Sequence, residues 1–395
     1  MMLLLKNARV VDANTDEKLD ILIENGKIKK VEKEINLENV KVIDLSEYTV
    51  MPAFVEMHAH FRDPGFTYKE DLYTGSLAAL RGGYTTVNMM ANTNPIVSTP
   101  EVYEDIMKRG RELDLIDLFQ VVSVTENFDG VNLVDYSKFD TPTLSDDGKG
   151  ITTSYVLYEA LKKAKEHNKL ILIHAEDANI SKIDYRLGED LETIRDIEIA
   201  KALNTRLHFC HVSTVGSIEA IERAKKEGYP ITCEVAPHHI SLYDLEYKVH
   251  PPIRKKVDVD RLIKAIKDGV VDTIATDHAP HSPEDKAKGA PGMVGLESAF
   301  CISYTVLVKE NGLDIKRLSS LMSKFGAETL GVNKGLIKEG YNADLVVVDL
   351  DKKVKIEAEK LVSKSKNTPF DQKEFYGEIK ATFKDGIIKY GEDNL

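Results

Sequence analysis

Apolar and polar positions alternate in short runs at both ends of the chain. Between those ends, compact apolar runs succeed one another with amphipathic stretches in between. The opening residues read LLLKNARVV, LDILIENGKIKKVEKEI and KVIDL, alternating on either side of Asn25-Gly26, which predicts strands joined by a hairpin turn. ADLVVVDLDKKVKI and EIKATFKDGIIKYGE near the other end repeat the pattern, with a second hairpin signal at Asp385-Gly386. Residues 1–52 and 335–395 are therefore expected to build one small β-sandwich domain from both termini.

The middle of the chain, residues 53–334, carries eight short runs rich in β-branched residues. They are AFVEMH (53–58), TTVNMM (85–90), LFQVVSV (118–124), TPTLS (141–145), LILIHA (170–175), LHFCHV (207–212), ITCEVA (231–236) and DTIATD (272–277). Most lead into a helix-like stretch such as YKEDLYTGSLAALRGG, TPEVYEDIMKRGRELD, TSYVLYEALKKAKEHN or VGSIEAIERAKKEG. Strands separated by helices predict an α/β fold of parallel units, and eight is the number that closes a TIM-like (β/α)8 barrel. An open doubly wound sheet satisfies the same pattern. The chemistry at the strand ends favours the barrel.

His58 and His60 end the first run, and residues i and i+2 of a strand share a face. Asp147 follows the fourth run, His174 ends the fifth, His211 lies in the sixth and Asp277 ends the eighth. The chain holds 11 histidines, and four of them fall at strand ends beside two aspartates. Imidazole nitrogens and carboxylate oxygens suit a catalytic zinc that keeps one position open. Six ligands exceed one tetrahedral ion but fit two metals sharing a bridging carboxylate and a bridging hydroxide. His208 is out of phase with His211 and His167 sits near a helix end, so both read as structural or solvated.

Composition narrows the function further. With 42% hydrophobic and 30% charged residues the chain reads as a soluble globular protein, and its net charge of −12 argues against a nucleic-acid binder. The three cysteines, Cys210, Cys233 and Cys301, form no CxxC pair, which fits a reducing cytoplasm and leaves a thiolate zinc site unsupported. The run MMLLLKNARVV is too short for a secretion signal, and no apolar stretch has membrane-spanning length.

HAHFRDPG (58–65), MANTNP (90–95), SDDG (145–148), HAED (174–177), HVST (211–214), TCEVAPHH (232–239) and TDHAPH (276–281) resemble, in order and spacing, the motif series of the dihydroorotases of the amidohydrolase superfamily. KSKNTPF (364–370) resembles that family's closing segment, so the resemblance covers nearly the whole chain. It implies a (β/α)8 barrel beside a small β-sandwich, two zinc ions, and reversible cyclisation of N-carbamoyl-L-aspartate to L-dihydroorotate in pyrimidine biosynthesis. His58, His60 and Asp277 would hold the more buried zinc, His174 and His211 the other, and Asp147 would bridge them. Asp146, or a carboxylated Lys149, stands as the alternative bridge. Arg62, Asn92 and His281 match groups that hold the substrate α-carboxylate. Asp277 matches the proton shuttle that works beside the metal-bridged hydroxide. Cobalt or manganese would also suit such ligands.

Two positions depart from the family pattern: MANTNP lacks the usual proline beside Asn92, and His250 stands where an asparagine is common. The segment from His174 to His211 also reads as short, and HSPEDKAKGAPGM (281–293) reads as a lid. Dihydropyrimidinases, hydantoinases and allantoinases share the expected barrel and metals, but the first two typically carry a lysine bridge. Arg62 with Asp147 favours a substrate bearing a carboxylate. A non-catalytic scaffold would lose metal histidines, and all four are kept. Homo-oligomerisation and association with aspartate transcarbamoylase are both left open.

Overall fold

The computed structural model describes residues 2–391. Strands β1 (Met2–Val11), β2 (Asp16–Glu24), β3 (Lys27–Glu32), β4 (Lys41–Asp44) and β5 (Thr49–Pro52) come first. Eight strands in the positions of the eight predicted runs follow: β6 (Phe54–Ala59), β7 (Tyr84–Met89), β8 (Asp117–Gln120), β9 (Thr143–Leu144), β10 (Leu170–Ile173), β11 (Leu207–Phe209), β12 (Ile231–Val235) and β13 (Thr273–Ile274). β14 (Leu345–Lys355), β15 (Glu374–Lys384) and β16 (Ile387–Tyr390) close the order.

The middle strands pair in parallel, β6-β7-β8 in one sheet and β9 through β13 in another. Isolated parallel bridges, Val122 with Leu144 and Ala59 with His278, join the two sheets at both seams. Every residue of β6 and β7 is buried, the mark of strands covered on both faces. The covering helices are α1 (Leu72–Arg81), α2 (Pro100–Leu113), α3 (Ser154–Glu166), α4 (Tyr185–Leu203), α5 (Val215–Lys226), α6 (Pro237–Ser241) and α7 (Lys256–Lys267). Asp71, Thr153, Asp184 and Thr214 accept first-turn amides at the starts of α1, α3, α4 and α5.

The strands from the two chain ends share one eight-stranded sheet in the order β16-β15-β14-β5-β1-β2-β3, with β4 beside β1. The join is antiparallel, Val50 opposite Val347 and Met51 opposite Val346. Alternation along these strands feeds two cores. Val50, Leu345 and Val347 pack with Leu5, Ile21 and Phe383, while Met51, Val346 and Val348 turn to the core that contains Phe54 and Phe300. Both predicted hairpin turns are present with positive φ at Asn25-Gly26 and Asp385-Gly386. They abut one another, so that a Cβ on Gly26 would lie 3.3 Å from Asp385.

Lys334 pins the two sheet systems together. Its ammonium is 2.5 Å from Asp344 at the start of β14, 2.5 Å from Asp117 on β8 and 2.9 Å from Thr86 on β7. Removing one partner of a buried pair strands the other charge. We expect Lys334→Ala to lower unfolding free energy in a denaturant titration by about 3–5 kcal/mol; a loss below about 1 kcal/mol would show that Asp344 is not dependent on it.

Candidate metal and substrate site

The six predicted ligands meet at the C-terminal ends of the parallel strands. His58 and His60 project from the end of β6, Asp147 follows β9, His174 follows β10, His211 follows β11 and Asp277 follows β13. Asp147 sits at the centre. Its carboxylate oxygens lie 3.4–3.5 Å from His58 Nε2, His60 Nε2, His174 Nδ1 and His211 Nε2. Asp277 Oδ1 is 3.1 Å from His60 Nε2 and 3.6 Å from His58 Nε2. Burial alone would raise both carboxyls, but the imidazoles hold Asp147 well below the usual carboxylate range and lower Asp277 as well.

These separations suit a metal. Two atoms each ~2.0–2.1 Å from one ion at a tetrahedral angle lie about 3.4 Å apart, and His58 Nε2 to Asp147 Oδ1 is 3.5 Å. Both atoms are buried without a hydrogen-bond partner among the described residues, a costly state that a shared cation relieves. Ligand atoms of His58, His60 and Asp277 fall within 4.8 Å of one another, as do those of His58, Asp147 and His211. A third grouping, His58 with Cys210 and Glu234, is a poorer donor set. His58 Nδ1 already donates to Glu234 at 2.7 Å, and burial pushes the Cys210 thiol well up.

The outer nitrogens fix the rings. His58 donates to Glu234, His60 Nδ1 donates to Asn92 Oδ1 at 2.8 Å, and His174 Nε2 donates to Glu176 at 3.0 Å. Tyr185 at the start of α4 donates to the same Glu176 oxygen at 2.6 Å. Each hydrogen bond turns the remaining nitrogen toward the centre. Arg62, His211 and Asp277 all have positive φ, a backbone state costing about 1–3 kcal/mol for such residues.

Asp146 faces the other way. It accepts Val124 N at 2.7 Å and the Thr125 hydroxyl at 2.5 Å, while Lys149 is exposed, so Asp147 alone of the three candidates faces the imidazoles. His208 is structural, bonding Glu234 and Thr232, and His167 is exposed at the end of α3. Two buried carboxylates escaped the sequence reading. Glu234 holds His58 Nδ1, His208 Nε2 and the His211 amide. Burial opposes its ionisation, yet His58 and His208 bring it to about 2. Glu56 accepts the amides of His58 and Thr276, and burial pushes it to about 8. The signal was an acidic residue inside each of the apolar runs FVEMH and ITCEV.

A cavity of about 190 Å³ opens above the cluster. Arg62, Asn92 and His281 line it with His250, Pro291 and Gly292. Arg62 has no ion-pair partner among the described residues, and burial lowers its pKa only to about 10, so it remains a cation at neutral pH. Burial, with Arg62 and Lys69 alongside, brings His281 to about 3 and keeps it neutral. Its Nε2 lies 3.3 Å from Arg62 Nη2. His250 packs against the Tyr185 ring at 5.2 Å. Residues 281–293 contain α8 (Pro283–Ala287) and form one wall. Asn367 from KSKNTPF bonds the His281 amide and the Ala279 and Gly292 carbonyls, tying that wall in place. A side chain at Gly292 would meet Ala279 Cβ at 2.7 Å, so only glycine allows this approach. A larger cavity of about 530 Å³, between α2 and β8, contains none of the predicted site residues.

The amidohydrolase family model matches residues 49–388. The chain belongs to the amidohydrolase family. Two relatives sharpen the placement. A dihydroorotase of Clostridium botulinum (strain Eklund 17B / Type B) is 53% identical over 99% of this chain and 100% of its own length. A dihydroorotase of Elusimicrobium minutum (strain Pei191) is 38% identical over 100% and 99%. Among solved amidohydrolase-like folds, the L-hydantoinase of Arthrobacter aurescens superposes with a TM-score of 0.89 at 24% identity, covering 99% of this chain and 96% of that one. The dihydropyrimidinase of Brevibacillus agri NCHU1002 gives 0.88 at 21%, covering 98% and 95%. At such identities these likenesses speak for the fold alone.

Because Glu234 orients one ligand directly and a second through its backbone, Glu234→Gln should weaken metal retention by about 10–100-fold, measured by chelator competition and elemental analysis. Unchanged retention in a folded variant would leave Glu234 without a positioning role.

Proposed function

We propose that this chain is a dihydroorotase that closes N-carbamoyl-L-aspartate to L-dihydroorotate and reopens the ring, using two zinc ions. One observation carries the reading: the Asp147 carboxylate ringed by four imidazoles faces the unpaired Arg62 guanidinium across one small cavity. A cyclic-amide hydrolase needs the first, and a substrate bearing a carboxylate needs the second. We assign His58, His60 and Asp277 to one ion, His174 and His211 to the other, and Asp147 to both. The three- and five-stranded sheets are read as one (β/α)8 barrel over residues 53–334, supported by the bridges at both seams. Residues 1–52 with 335–395 are read as a β-sandwich accessory domain, supported by the separate core of the terminal sheet.

When bound, the zinc pair lowers the pKa of water and polarises a carbonyl oxygen. Arg62 offers two parallel donors to the substrate carboxylate, a geometry lysine cannot match. The Asn92 amide oxygen is occupied by His60, which leaves its amino group for the same carboxylate. In ring opening, the oxygen of water bonds to the ring carbonyl carbon and the carbon–nitrogen bond breaks. Asp277, an anion at the cavity floor, takes the proton from water and delivers it to the departing nitrogen. In ring closure it removes that proton from the carbamoyl nitrogen as the nitrogen bonds to the carboxyl carbon, and returns it to the carboxyl oxygen that leaves as water. One carboxylate serves both directions because it lies within reach of both atoms.

The test follows ring opening of L-dihydroorotate and of dihydrouracil by the zinc-loaded protein. Turnover of L-dihydroorotate alone is expected. Turnover of dihydrouracil instead would move the chain to the dihydropyrimidinases, and turnover of neither with metal bound would make it a scaffold. Asp277→Asn should fold and lose about 10²–10⁴-fold in kcat. Arg62→Ala should raise KM about 10- to 100-fold with a smaller change in kcat. An unchanged KM would take Arg62 out of the substrate site.

A further inference from the structure

Asp277 holds its carboxylate out from a strained stretch of backbone. Its φ of 46° lies in the left-handed region, which an aspartate keeps only where its surroundings impose it. On one side Glu56 accepts the amide of Thr276 at 3.0 Å. On the other stands His278, which is buried. Its amide donates to the Thr276 hydroxyl at 3.1 Å, and its carbonyl accepts the His60 amide at 2.8 Å across the seam between β13 and β6. Ring Nδ1 accepts two amides, Gly295 at 3.1 Å and Leu296 at 3.4 Å. A nitrogen that accepts carries no proton, so the ring proton sits on Nε2, 3.4 Å from a Glu70 oxygen. The segment that supplies those amides lies hard against the shuttle's neighbours. Ala279 donates to the Met293 carbonyl at 2.8 Å, and a Cβ on Gly295 would lie 3.1 Å from Thr276.

Glu70 is a junction. It is fully buried, and the groups around it are donors: the Thr74 hydroxyl of α1, the Ser363 hydroxyl, the Lys364 amide at 3.4 Å and His278 Nε2. An acceptor-only carboxylate suits such a ring. Ser363 and Lys364 belong to the strap that crosses the barrel mouth between β14 and β15. The same strap gives its Val362 and Ser363 amides to Glu297 at 2.9 and 3.1 Å and its Ser365 hydroxyl to the Lys69 carbonyl at 2.7 Å.

We propose that His278 is a positioning residue for Asp277, and that Glu70 couples it to the strap. The inference rests on the reading of Asp277 as the proton shuttle. That carboxylate has to reach the attacking water and the ring nitrogen within one turnover, so a small turn of its backbone takes it away from one of them. Arg62, Asn92 and His281, which are assigned to the substrate, bond neither His278 nor Glu70 among the described residues. Loss of His278 therefore falls on kcat rather than on KM.

The test compares His278→Leu, which removes both ring contacts, with His278→Asn, whose amide oxygen replaces Nδ1 as the acceptor for Gly295 and Leu296. In folded, zinc-loaded His278→Leu, kcat for L-dihydroorotate is expected to fall about 100-fold with KM nearly unchanged. A chelator should strip its metal about tenfold faster, because Asp277 is assigned as a ligand too. His278→Asn should recover about tenfold of the lost kcat, and Glu70→Gln should lower kcat about tenfold. An unchanged kcat in His278→Leu would overturn the proposal, as would a KM that rises as far as kcat falls, or an asparagine variant no better than the leucine one. Should His278→Leu not fold, a wild-type kcat in both His278→Asn and Glu70→Gln overturns it instead. If the wild type opens neither ring, the dihydroorotase reading fails by itself and the chelator decides: equal metal release from wild type and variants would show that His278 does not position Asp277.

Discussion

An aspartate carboxylate buried away from water is tolerable only where positive charge or strong donors surround it on every side. Asp147 meets that condition with four imidazole nitrogens, two arriving from the end of β6 and one each from the ends of β10 and β11. Three of the four imidazoles have the far nitrogen held, by Glu234, Asn92 and Glu176, and from Glu176 the network runs on to the first residue of α4. The positive φ values at His211 and Asp277 belong to the same demand. The backbone is bent where side chains must converge, and the rigid strands beneath hold the bend.

The sequence was most informative where physical patterning is local. The eight parallel strands sit on the eight apolar runs because strands buried on both faces need such runs, and both hairpins sit at Asn-Gly and Asp-Gly because those turns need positive φ. The six clustered side chains could be picked out because histidine and aspartate at strand ends have few other uses. What could not be read was pairing at a distance. Nothing local says that Glu234 serves His58, 176 positions away, or that Glu56 answers the amide of Thr276. Nor does the SDDG motif say which aspartate turns inward; that is settled by the Val124 and Thr125 donors that capture Asp146.

Helix α4 shows how one element can satisfy two masters. Its acidic face supplies acceptors to Arg254 and to the loop beyond His211, a task that apolar residues could not perform. The same side buries Ile197 and Ala200 in the main core, which ties the helix to the fold.

The seam between β5 and β14 bears on how the chain is born. All four residues of β5 are buried in the finished fold, partly by β14, which the ribosome reaches only after residues 53–344 are made. At ~5–20 residues per second, β5 waits roughly 15–60 s for that partner. Throughout that interval Thr49-Val50-Met51-Pro52 presents an apolar edge, and its closing proline, which lacks an amide hydrogen, limits how far a stray strand can pair along it. The sheet that joins β5 to β14 is thus completed only after the eight parallel strands between them have been made.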